Sequence, residues 1–355
     1  MIRSTNGPHV VWFDDGKRPN VADVLEQSPD VAMHRLDFSS PPEQNWAVME
    51  DAHVYCITST RDEVLDEYKA HQPLIERCPN LLVVSASGAG YDPVDVDACT
   101  AAGILVVNQS GANAQAVAEH AVAMMLSLSK KIPATDRALR TTRGQSREAF
   151  KGRNAQGKTV GLIGLGNTGR RVARICGLGL GMQVIACDPY LTPADFAERG
   201  AEPSDLEELL GASDYVSVHC PYNAETRDML DAHAIARMKP SAFLVNCARG
   251  GIVNENALAS ALENGNLAGA GVDVWVVEPP PLDHPLLAFD NVIATYHTAG
   301  ITFDSRHNMA EWNAEQVLRI LAGEHPPRAI NPEVWPAFAQ RFEAVLGHPP
   351  RSTAD

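Results

Sequence analysis

Short apolar runs alternate with stretches of helical periodicity along most of this chain. The runs have strand length and are rich in valine, isoleucine and leucine, which is typical of strands buried on both faces. They predict strands at residues 10–13, 54–57, 81–84, 104–107, 158–163, 182–187, 215–219, 243–246, 269–275 and 291–295. The stretches between and after them predict helices at residues 20–27, 62–70, 97–102, 114–130, 170–176, 205–210, 231–237, 255–263 and 304–321. This alternation favours an α/β protein with doubly wound parallel sheets.

A glycine-rich loop separates a predicted strand from a predicted helix near the middle of the chain. Its sequence is GLGNTG, with glycines at Gly164, Gly166 and Gly169. In the dinucleotide-binding fingerprint, the first glycine allows a tight turn, the second admits the pyrophosphate, and the third allows close helix packing. The N-terminus of the helix adds unpaired N–H groups and a partial positive charge. The strand–loop–helix order therefore predicts a dinucleotide site here rather than a purely structural turn.

Asp188 ends the next predicted strand, where the fingerprint places an acidic residue. A carboxylate at this position accepts hydrogen bonds from the ribose hydroxyls and repels a 2′-phosphate. No arginine follows it, since the next residues are Pro189 and Tyr190. We therefore expect NAD rather than NADP as the cofactor.

Composition and charge narrow the class of protein. A chain of 355 residues has room for about two domains, and its net charge of −15 argues against nucleic acid or anionic membrane as partners. The seven cysteines are scattered and odd in number, which favours reduced core thiols over disulfides or a metal site. The first residues have no apolar signal region. We expect a soluble cytoplasmic protein without a metal ion.

The amino-terminal strands and helices lack a glycine fingerprint and form a different kind of unit. Ser87, Gly88 and Ala89 follow one of its strands, in the run SASGAGYD. Ligands of open parallel sheets bind beyond the carboxyl ends of strands, and small residues there expose N–H groups that suit a carboxylate. A plain tight turn explains the same spacing equally well.

Both chain ends lie outside the nucleotide-binding stretch, which predicts a discontinuous first domain. We assign residues 1–112 and 301–355 to a substrate domain and residues 113–300 to a nucleotide-binding domain. A long helix is followed by a polar stretch that is too long for a simple connector. We interpret the region near residues 132–157 as an arm that packs against a second subunit.

Three polar residues at the ends of late predicted strands form a candidate catalytic set, namely Arg249, Glu278 and His297. With them the chain resembles the D-isomer-specific 2-hydroxyacid dehydrogenases, the family that includes D-3-phosphoglycerate dehydrogenase. The resemblance rests on motifs in the same order along nearly the whole chain. They are SGAGYD at 87–92, VAEH at 117–120, the glycine loop, HCP at 219–221 with Thr226, MKP at 238–240, NCARGG at 246–251, GVDVW at 271–275, Glu278-Pro279, and His297 before Ala299-Gly300.

The resemblance implies a homodimer in which a Rossmann domain that binds NAD is inserted into a flavodoxin-like substrate domain. It implies hydride transfer between nicotinamide and a D-2-hydroxy acid or 2-keto acid. His297 would be the acid–base, because a histidine pKa lies near working pH, with Glu278 favouring its charged form and Arg249 holding the substrate carboxylate with Ser87, Gly88 and Ala89. The implied cofactor-binding residues are Gly164, Gly166, Asn167, Thr168, Gly169, Asp188, His219, Pro221, Thr226, Ala248, Asp273 (for the nicotinamide carboxamide) and Gly300.

One departure from the family's pattern lies beside the candidate acid. Tyr296 stands where the family usually has proline. The loss of the proline relaxes the local backbone, and the tyrosine places a phenol near His297. Glu278, rather than glutamine, argues against the formate dehydrogenase branch. A phosphite dehydrogenase and a co-repressor that senses NAD(H) are the alternative functions, although a co-repressor would need a longer tail after Val334.

Overall fold

The chain divides into two compact units in the computed structural model, which describes residues 7–13, 24–25 and 31–351. Unit 1 comprises Met1–Asn113 with Thr302–Asp355, and unit 2 comprises Ala114–Ile301. Each unit is a parallel sheet with helices on both faces, so the predicted fold class is confirmed.

Unit 1 contains a five-stranded sheet among the described residues. Its strands are β1 (His9–Phe13), β2 (Ala32–Leu36), β3 (Val54–Ile57), β4 (Val83–Ala86) and β5 (Leu105–Val107). They are parallel and lie in the order β2-β1-β3-β4-β5, the flavodoxin-like order. The central strands are apolar and almost completely buried, because helices cover both faces.

The helices of unit 1 come from both ends of the chain. They are α1 (Pro42–Met49), α2 (Gln72–Arg77), α3 (Val96–Ala101) and, after unit 2, α11 (Phe303–Leu321) and α12 (Trp335–Leu346). Trp46, Leu74 and Cys99 of α1–α3 belong to the core on one face of the sheet. Val317 and Phe338 of the carboxyl-terminal helices belong to the core on the other face. The end of the chain thus completes the fold that the beginning starts.

Unit 2 contains a seven-stranded parallel sheet. Its strands are β6 (Thr159–Ile163), β7 (Gln183–Cys187), β8 (Glu202–Pro203), β9 (Tyr215–Val218), β10 (Phe243–Asn246), β11 (Gly269–Val272) and β12 (Val292–Ala294). The order is β12-β11-β10-β9-β6-β7-β8. The chain moves outward from β6 in one direction and then from β9 in the other, so the strand order switches between β6 and β9.

Helices cover both faces of this second sheet. They are α4 (Ala114–Ser129), α5 (Ile132–Thr141), α6 (Gly169–Arg174), α7 (Pro193–Glu198), α8 (Leu206–Ala212), α9 (Ala232–Ile235) and α10 (Glu255–Glu263). Apolar residues of α4 and α6, such as Met124 and Val172, pack on one face. Apolar residues of α8, α9 and α10, such as Leu209 and Leu258, pack on the other.

Several predicted elements differ from the structure. The helix expected at residues 62–70 is replaced by two short 3₁₀ helices, Arg61–Glu63 and Asp66–Tyr68, because Val64 and Leu65 adopt extended backbone. The helix expected at 20–27 falls largely outside the described residues. The short edge strands β2 and β8 had no predicted counterpart, nor did helices α1, α2, α12 and, in unit 2, those at Ile132–Thr141 and Pro193–Glu198. Among the described residues, no helix combines the length and apolar character needed to cross a membrane.

Candidate active site

The candidate cofactor and catalytic residues of unit 2 lie at the carboxyl ends of neighbouring strands. Asp188 follows β7, the glycine loop follows β6, and His219 follows β9. Arg249 follows β10 and Asp273 follows β11, while His297 lies beyond β12. Parallel strands end at one edge of a sheet, and ligands bind there at the switch in strand order. The row of residues runs across this edge from Asp188 at one end to His297 at the other.

The three glycines of the loop are required for different reasons. Gly164 has φ +90°, and a Cβ there would lie 2.8 Å from the backbone of His219 and Cys220. A Cβ on Gly169 would lie 2.2 Å from the carbonyl oxygen of Gly164. A Cβ on Gly166 would meet nothing within 4 Å. The protein's own packing therefore requires the first and third glycines, while the open space at Gly166 fits the close approach of a pyrophosphate.

The loop continues into the first turn of α6. Thr168 precedes the helix, and its carbonyl accepts the backbone N–H of Val172. The side chain of Asn167 accepts a hydrogen bond from Arg170 at 2.9 Å. The loop thus leads directly into a helix N-terminus that points at the same edge of the sheet, as an anion site requires.

Asp188 connects the glycine loop to the end of β7. Its Oδ2 accepts the N–H of Leu165 at 2.9 Å, and its Oδ1 accepts the N–H of Tyr190 at 3.2 Å. The carboxylate is therefore held beside the loop by one hydrogen bond to each of its oxygens. Each carboxylate oxygen has a further lone pair for a ribose hydroxyl.

His219 presents a neutral ring beside the glycine loop. Its two ring nitrogens are buried, and neither has a partner among the described residues. Burial lowers the pKa of His219 to about 4, so the ring is uncharged at neutral pH. An unpaired buried polar group costs about 1–3 kcal/mol. This cost fits a position where a bound cofactor supplies the missing partner.

The loop after His219 is closed by Thr226, whose hydroxyl donates to the carbonyl of Pro221 at 2.7 Å and accepts the N–H of Asn223 at 2.8 Å. Ala248, after β10, donates its N–H to the side chain of Asn246 at 3.0 Å. These contacts hold the loop that follows His219 and the loop after the neighbouring strand β10.

His297 and Glu278 form a hydrogen-bonded pair. Nδ1 of His297 lies 2.8 Å from Oε2 of Glu278, and the other oxygen, Oε1, accepts the N–H of Trp275 at 2.9 Å. Both side chains are largely buried, with exposures of 25% and 21%. Because Nδ1 is engaged with the carboxylate, Nε2 is the nitrogen through which the ring can exchange a proton with a ligand.

The pair shifts both pKa values in the direction that favours an ion pair. Burial alone would lower the pKa of His297, but the hydrogen bond and charge of Glu278 outweigh it and raise this pKa above its ordinary value. Burial alone would raise the pKa of Glu278, but His297, the N–H of Trp275 and Arg249 together lower it. Both shifts therefore favour the charged pair of imidazolium and carboxylate.

Arg249 lies close enough to influence both members of the pair. Its positive charge lowers the pKa of Glu278 and opposes the rise in the pKa of His297. Nη1 donates to the carbonyl of Ala248 at 2.7 Å, and the carbonyl of Arg249 accepts from Asn246 at 2.9 Å. A cation is thus positioned beside the acid–base pair on a turn that is itself hydrogen-bonded.

Asp273 holds the backbone of the His297 turn. His297 has the left-handed value φ 52°, and its N–H donates to the carbonyl of Asp273 at 2.7 Å. The buried carboxylate of Asp273 accepts from the N–H groups of Thr298 and Ala299 at 2.8 and 2.9 Å and from the hydroxyl of Thr295. These contacts stabilise the strained turn that leads to Gly300, a role the sequence did not suggest for this residue.

His120 of α4 also contacts this turn and was not a predicted site residue. Its Nε2 lies 3.3 Å from the hydroxyl of Thr295, which in turn donates to Asp273. No sequence pattern could indicate the contact between His120 and Thr295, because the two residues are far apart in the chain and meet only in the folded structure.

In unit 1, the predicted substrate-binding residues follow β4. The N–H of Ser87 donates to Ile57 at 2.8 Å, and the carbonyls of Gly88 and Ala89 accept from Gln109 and Asn108. The N–H groups of Gly88 and Ala89 make no hydrogen bond to any described residue. These two N–H groups, rather than that of Ser87, suit an anion.

Comparison with protein families places this geometry in context. The model of the D-isomer specific 2-hydroxyacid dehydrogenase NAD binding domain matches residues 122–299. D-3-phosphoglycerate dehydrogenase of Mycobacterium tuberculosis is 42% identical over 259 residues, which are 73% of this chain and 48% of that protein. The chain therefore spans about half the length of the curated relatives it matches.

Solved structures match over nearly the whole chain. The TT0316 protein from Thermus thermophilus is 30% identical, with a TM-score of 0.77, and the match covers 91% of this chain and 99% of that one. D-lactate dehydrogenase from Aquifex aeolicus, complexed with NAD and lactic acid, is 28% identical with a TM-score of 0.77. That match covers 90% of this chain and 98% of the other.

Proposed function

Because the chain belongs to the D-isomer specific 2-hydroxyacid dehydrogenase family, with an NAD-binding domain in unit 2, we propose that it is an NAD-dependent dehydrogenase. The reaction is hydride transfer between nicotinamide and a D-2-hydroxy acid/2-keto acid pair. The observation that carries this proposal is the hydrogen bond of 2.8 Å between His297 and Glu278 at the carboxyl edge of the sheet.

His297 is the proton donor for reduction and the proton acceptor for oxidation. When bound, the nicotinamide ring supplies or accepts the hydride. In reduction, Nε2 of the imidazolium gives its proton to the substrate oxygen while Nδ1 stays on Glu278. Glu278 stabilises the charged ring before the transfer and keeps its orientation afterwards.

Arg249 holds the substrate carboxylate. A guanidinium can bind a carboxylate with two parallel hydrogen bonds and at the same time polarise the adjacent carbonyl. We assign unit 1 the role of substrate domain, because the N–H groups of Gly88 and Ala89 after β4 suit a carboxylate.

Unit 2 binds the cofactor through the row of residues at the edge of its sheet. Gly166 and the N-terminus of α6, with Asn167 and Thr168, receive the pyrophosphate. Asp188 binds the adenosine ribose and selects NAD. His219, Pro221, Thr226, Ala248, Asp273 and Gly300 line the remaining course of the cofactor towards His297.

We assign the protein to the cytoplasm and to a homodimer. All seven cysteines are free thiols, as in a reducing compartment. Helix α5 of the arm buries none of its residues, and Ile132 and Leu139 are 55% and 70% exposed. A second copy of the chain packed against the arm would cover these apolar side chains.

The test is a panel of 2-keto acids with NADH, followed by absorbance at 340 nm. The protein should reduce one or more of them to the D-hydroxy acid, as chiral chromatography of the product would establish. The His297→Ala protein, purified in parallel, controls for contaminating dehydrogenases. Equal rates in the two preparations, or no oxidation of NADH with any keto acid, would overturn the proposal.

A further inference from the structure

A second carboxylate–imidazole pair contacts the same loop as the first. Oε2 of Glu255 lies 3.1 Å from Nε2 of His284, and the two side chains are only 17% and 13% exposed. Nδ1 of His284 accepts the N–H of Leu286 at 3.3 Å, so Nε2 carries the proton and donates it to Glu255. Nothing in the proposed reaction uses this pair.

The two pairs hold consecutive backbone groups of one loop. Glu278 accepts the N–H of Trp275 at 2.9 Å, and Glu255 accepts the N–H of Val276 through Oε1 at 2.8 Å. Each carboxylate therefore bonds the loop with one oxygen and an imidazole with the other. We call residues 275–279 the Glu278 loop.

Trp275 connects the Glu278 loop to the segment that carries His297. Its indole N–H donates to the carbonyl of Thr295 at 3.0 Å, and its ring packs edge-on against His284 with centroids 5.3 Å apart. The side chain is 4% exposed, whereas Val276 is 63% exposed. Packing therefore fixes Trp275, while the exposed residue Val276 is held by the hydrogen bond that its N–H donates to Glu255.

The Arg249 turn packs directly on the same loop. A Cβ on Gly250 would lie 2.0 Å from the carbonyl oxygen of Trp275, so only glycine permits this approach. The chain then passes into α10, whose first residue is Glu255. One side chain thus ties the start of α10 to the loop that carries Glu278.

We propose that Glu255, supported by His284, is a positioning residue that clamps the Glu278 loop and so sets the contact between Glu278 and His297. The effect of Glu255 on turnover rests on the proposed function, whereas its effect on the contact between Glu278 and the ring of His297 does not. An ordinary alternative is that Glu255 only stabilises α10, as acids in a first helical turn do.

The charged groups that act on His297 are Glu278, Asp273 and Arg249. If the Glu278 loop loosens, the favourable charge of Glu278 moves away while burial and Arg249 continue to oppose the imidazolium. The pKa of His297 must then fall. General destabilisation of α10 would lower the melting temperature but leave this pKa unchanged.

The experiment is an NMR titration of the protein with ¹³Cε1-labelled histidine, without substrate, with the His297 signal assigned from its absence in His297→Gln. Glu255→Ala should lower the pKa of His297 by about one unit, within the range for a displaced neighbouring charge. Glu255→Gln keeps an acceptor for Val276 and should give a smaller shift. Asn254→Ala, the matched control, removes the side-chain cap of α10 and should leave the pKa unchanged.

The enzymatic counterpart uses the same variants. Glu255→Ala should lower kcat for reduction by about 10- to 100-fold, because displacing a catalytic group by about 1 Å costs that much, with little change in KM for the keto acid. His284→Ala should resemble it, and His284→Gln, which restores a donor to Glu255, should recover most of the loss.

Three results decide this inference and the proposed function separately. An unchanged pKa of His297 in both Glu255→Ala and Glu255→Gln would overturn the clamp even in an active dehydrogenase. Equal shifts in Glu255→Ala and Asn254→Ala would also overturn it, in favour of helix stabilisation. A wild-type protein inactive with every keto acid would refute the dehydrogenase, while the NMR titration would still decide the clamp.

Discussion

At His297, one acid holds the backbone and another holds the ring. Asp273 accepts the backbone N–H groups of Thr298 and Ala299, which secures a left-handed residue that otherwise costs free energy. Glu278 accepts a hydrogen bond from Nδ1, which leaves Nε2 as the nitrogen that exchanges a proton with a ligand. Tyr296 is 78% exposed, so its side chain leaves the contacts of Asp273 and Glu278 with this segment intact.

Replacing His297 with alanine removes the proton donor but leaves Arg249 and the cofactor residues. The turnover rate should fall by about 10²–10⁴, the usual contribution of a positioned acid. Fluorescence titration should show that NADH still binds. A variant that retains near wild-type turnover would exclude His297 as the acid.

Replacing Glu278 with glutamine should move the upper pH limb of reduction to lower pH. In the wild type the raised pKa of His297 keeps the imidazolium present to higher pH, and reduction fails as pH rises through that value. Without the carboxylate, burial and Arg249 both lower the pKa, so the proton leaves earlier. Oxidation, which needs neutral His297, should be less impaired at low pH. An unshifted upper limb of the kcat profile would mean that Glu278 does not tune His297.

The proposed function assigns the choice of cofactor to a single residue, Asp188. Asp188→Ser should raise the KM for NAD ten-fold or more, since charge-assisted hydrogen bonds contribute about 1.5–3 kcal/mol, and should reduce discrimination against NADP. Asp188→Asn keeps acceptor capacity without the charge, so it separates hydrogen bonding from repulsion of the 2′-phosphate. Equal use of NADPH by the wild type would contradict this assignment.

At the scale of elements, apolar strands were predicted well and polar edges were not. Helix α10 has the predicted bounds, because its periodicity and its Asn254 cap are local signals. Strand β2, with the sequence AMHRL, was missed because it is an edge strand with polar residues that its neighbour β1 alone stabilises. The strand expected at 269–275 ends at Val272.

The glycine loop permits a prediction that separates cofactor binding from folding. Gly166→Ala places a methyl group in open space, so stability should change by no more than about 0.5 kcal/mol while NADH binding weakens. Gly169→Ala forces a contact with the carbonyl of Gly164 and should lower the melting temperature. Calorimetry with and without NADH would measure both effects. Unimpaired NADH binding by the Gly166 variant would argue against pyrophosphate at this position.

At the scale of the molecule, helix α5 of the arm has no buried residue and exposes the apolar side chains of Ile132 and Leu139. Leu139→Glu should convert the proposed dimer to a monomer, because a carboxylate would be buried where an apolar side chain packs. Light scattering at micromolar concentration would measure the mass. Leu178→Glu, the same change at a leucine outside the arm that is 82% exposed, is the control for the added charge. A wild-type monomer would remove the proposed role of the arm.

The sequence by itself determined the alternation of strands and helices, the glycine loop with its acid, and the identity and order of the candidate catalytic residues. The strands, the helices and the glycine loop are local signals, carried by periodicity and by residue types at short spacing, whereas the roles of the candidate catalytic residues came from the resemblance to a family. Only the tertiary structure decided which groups meet. Three contacts join segments that are separate in the chain. Glu278 meets His297, Asp273 is buried under the turn of His297, and the N–H of Val276 donates to Glu255. No local pattern encodes such pairs, because they depend on how parallel strands bring distant loops to one edge of a sheet.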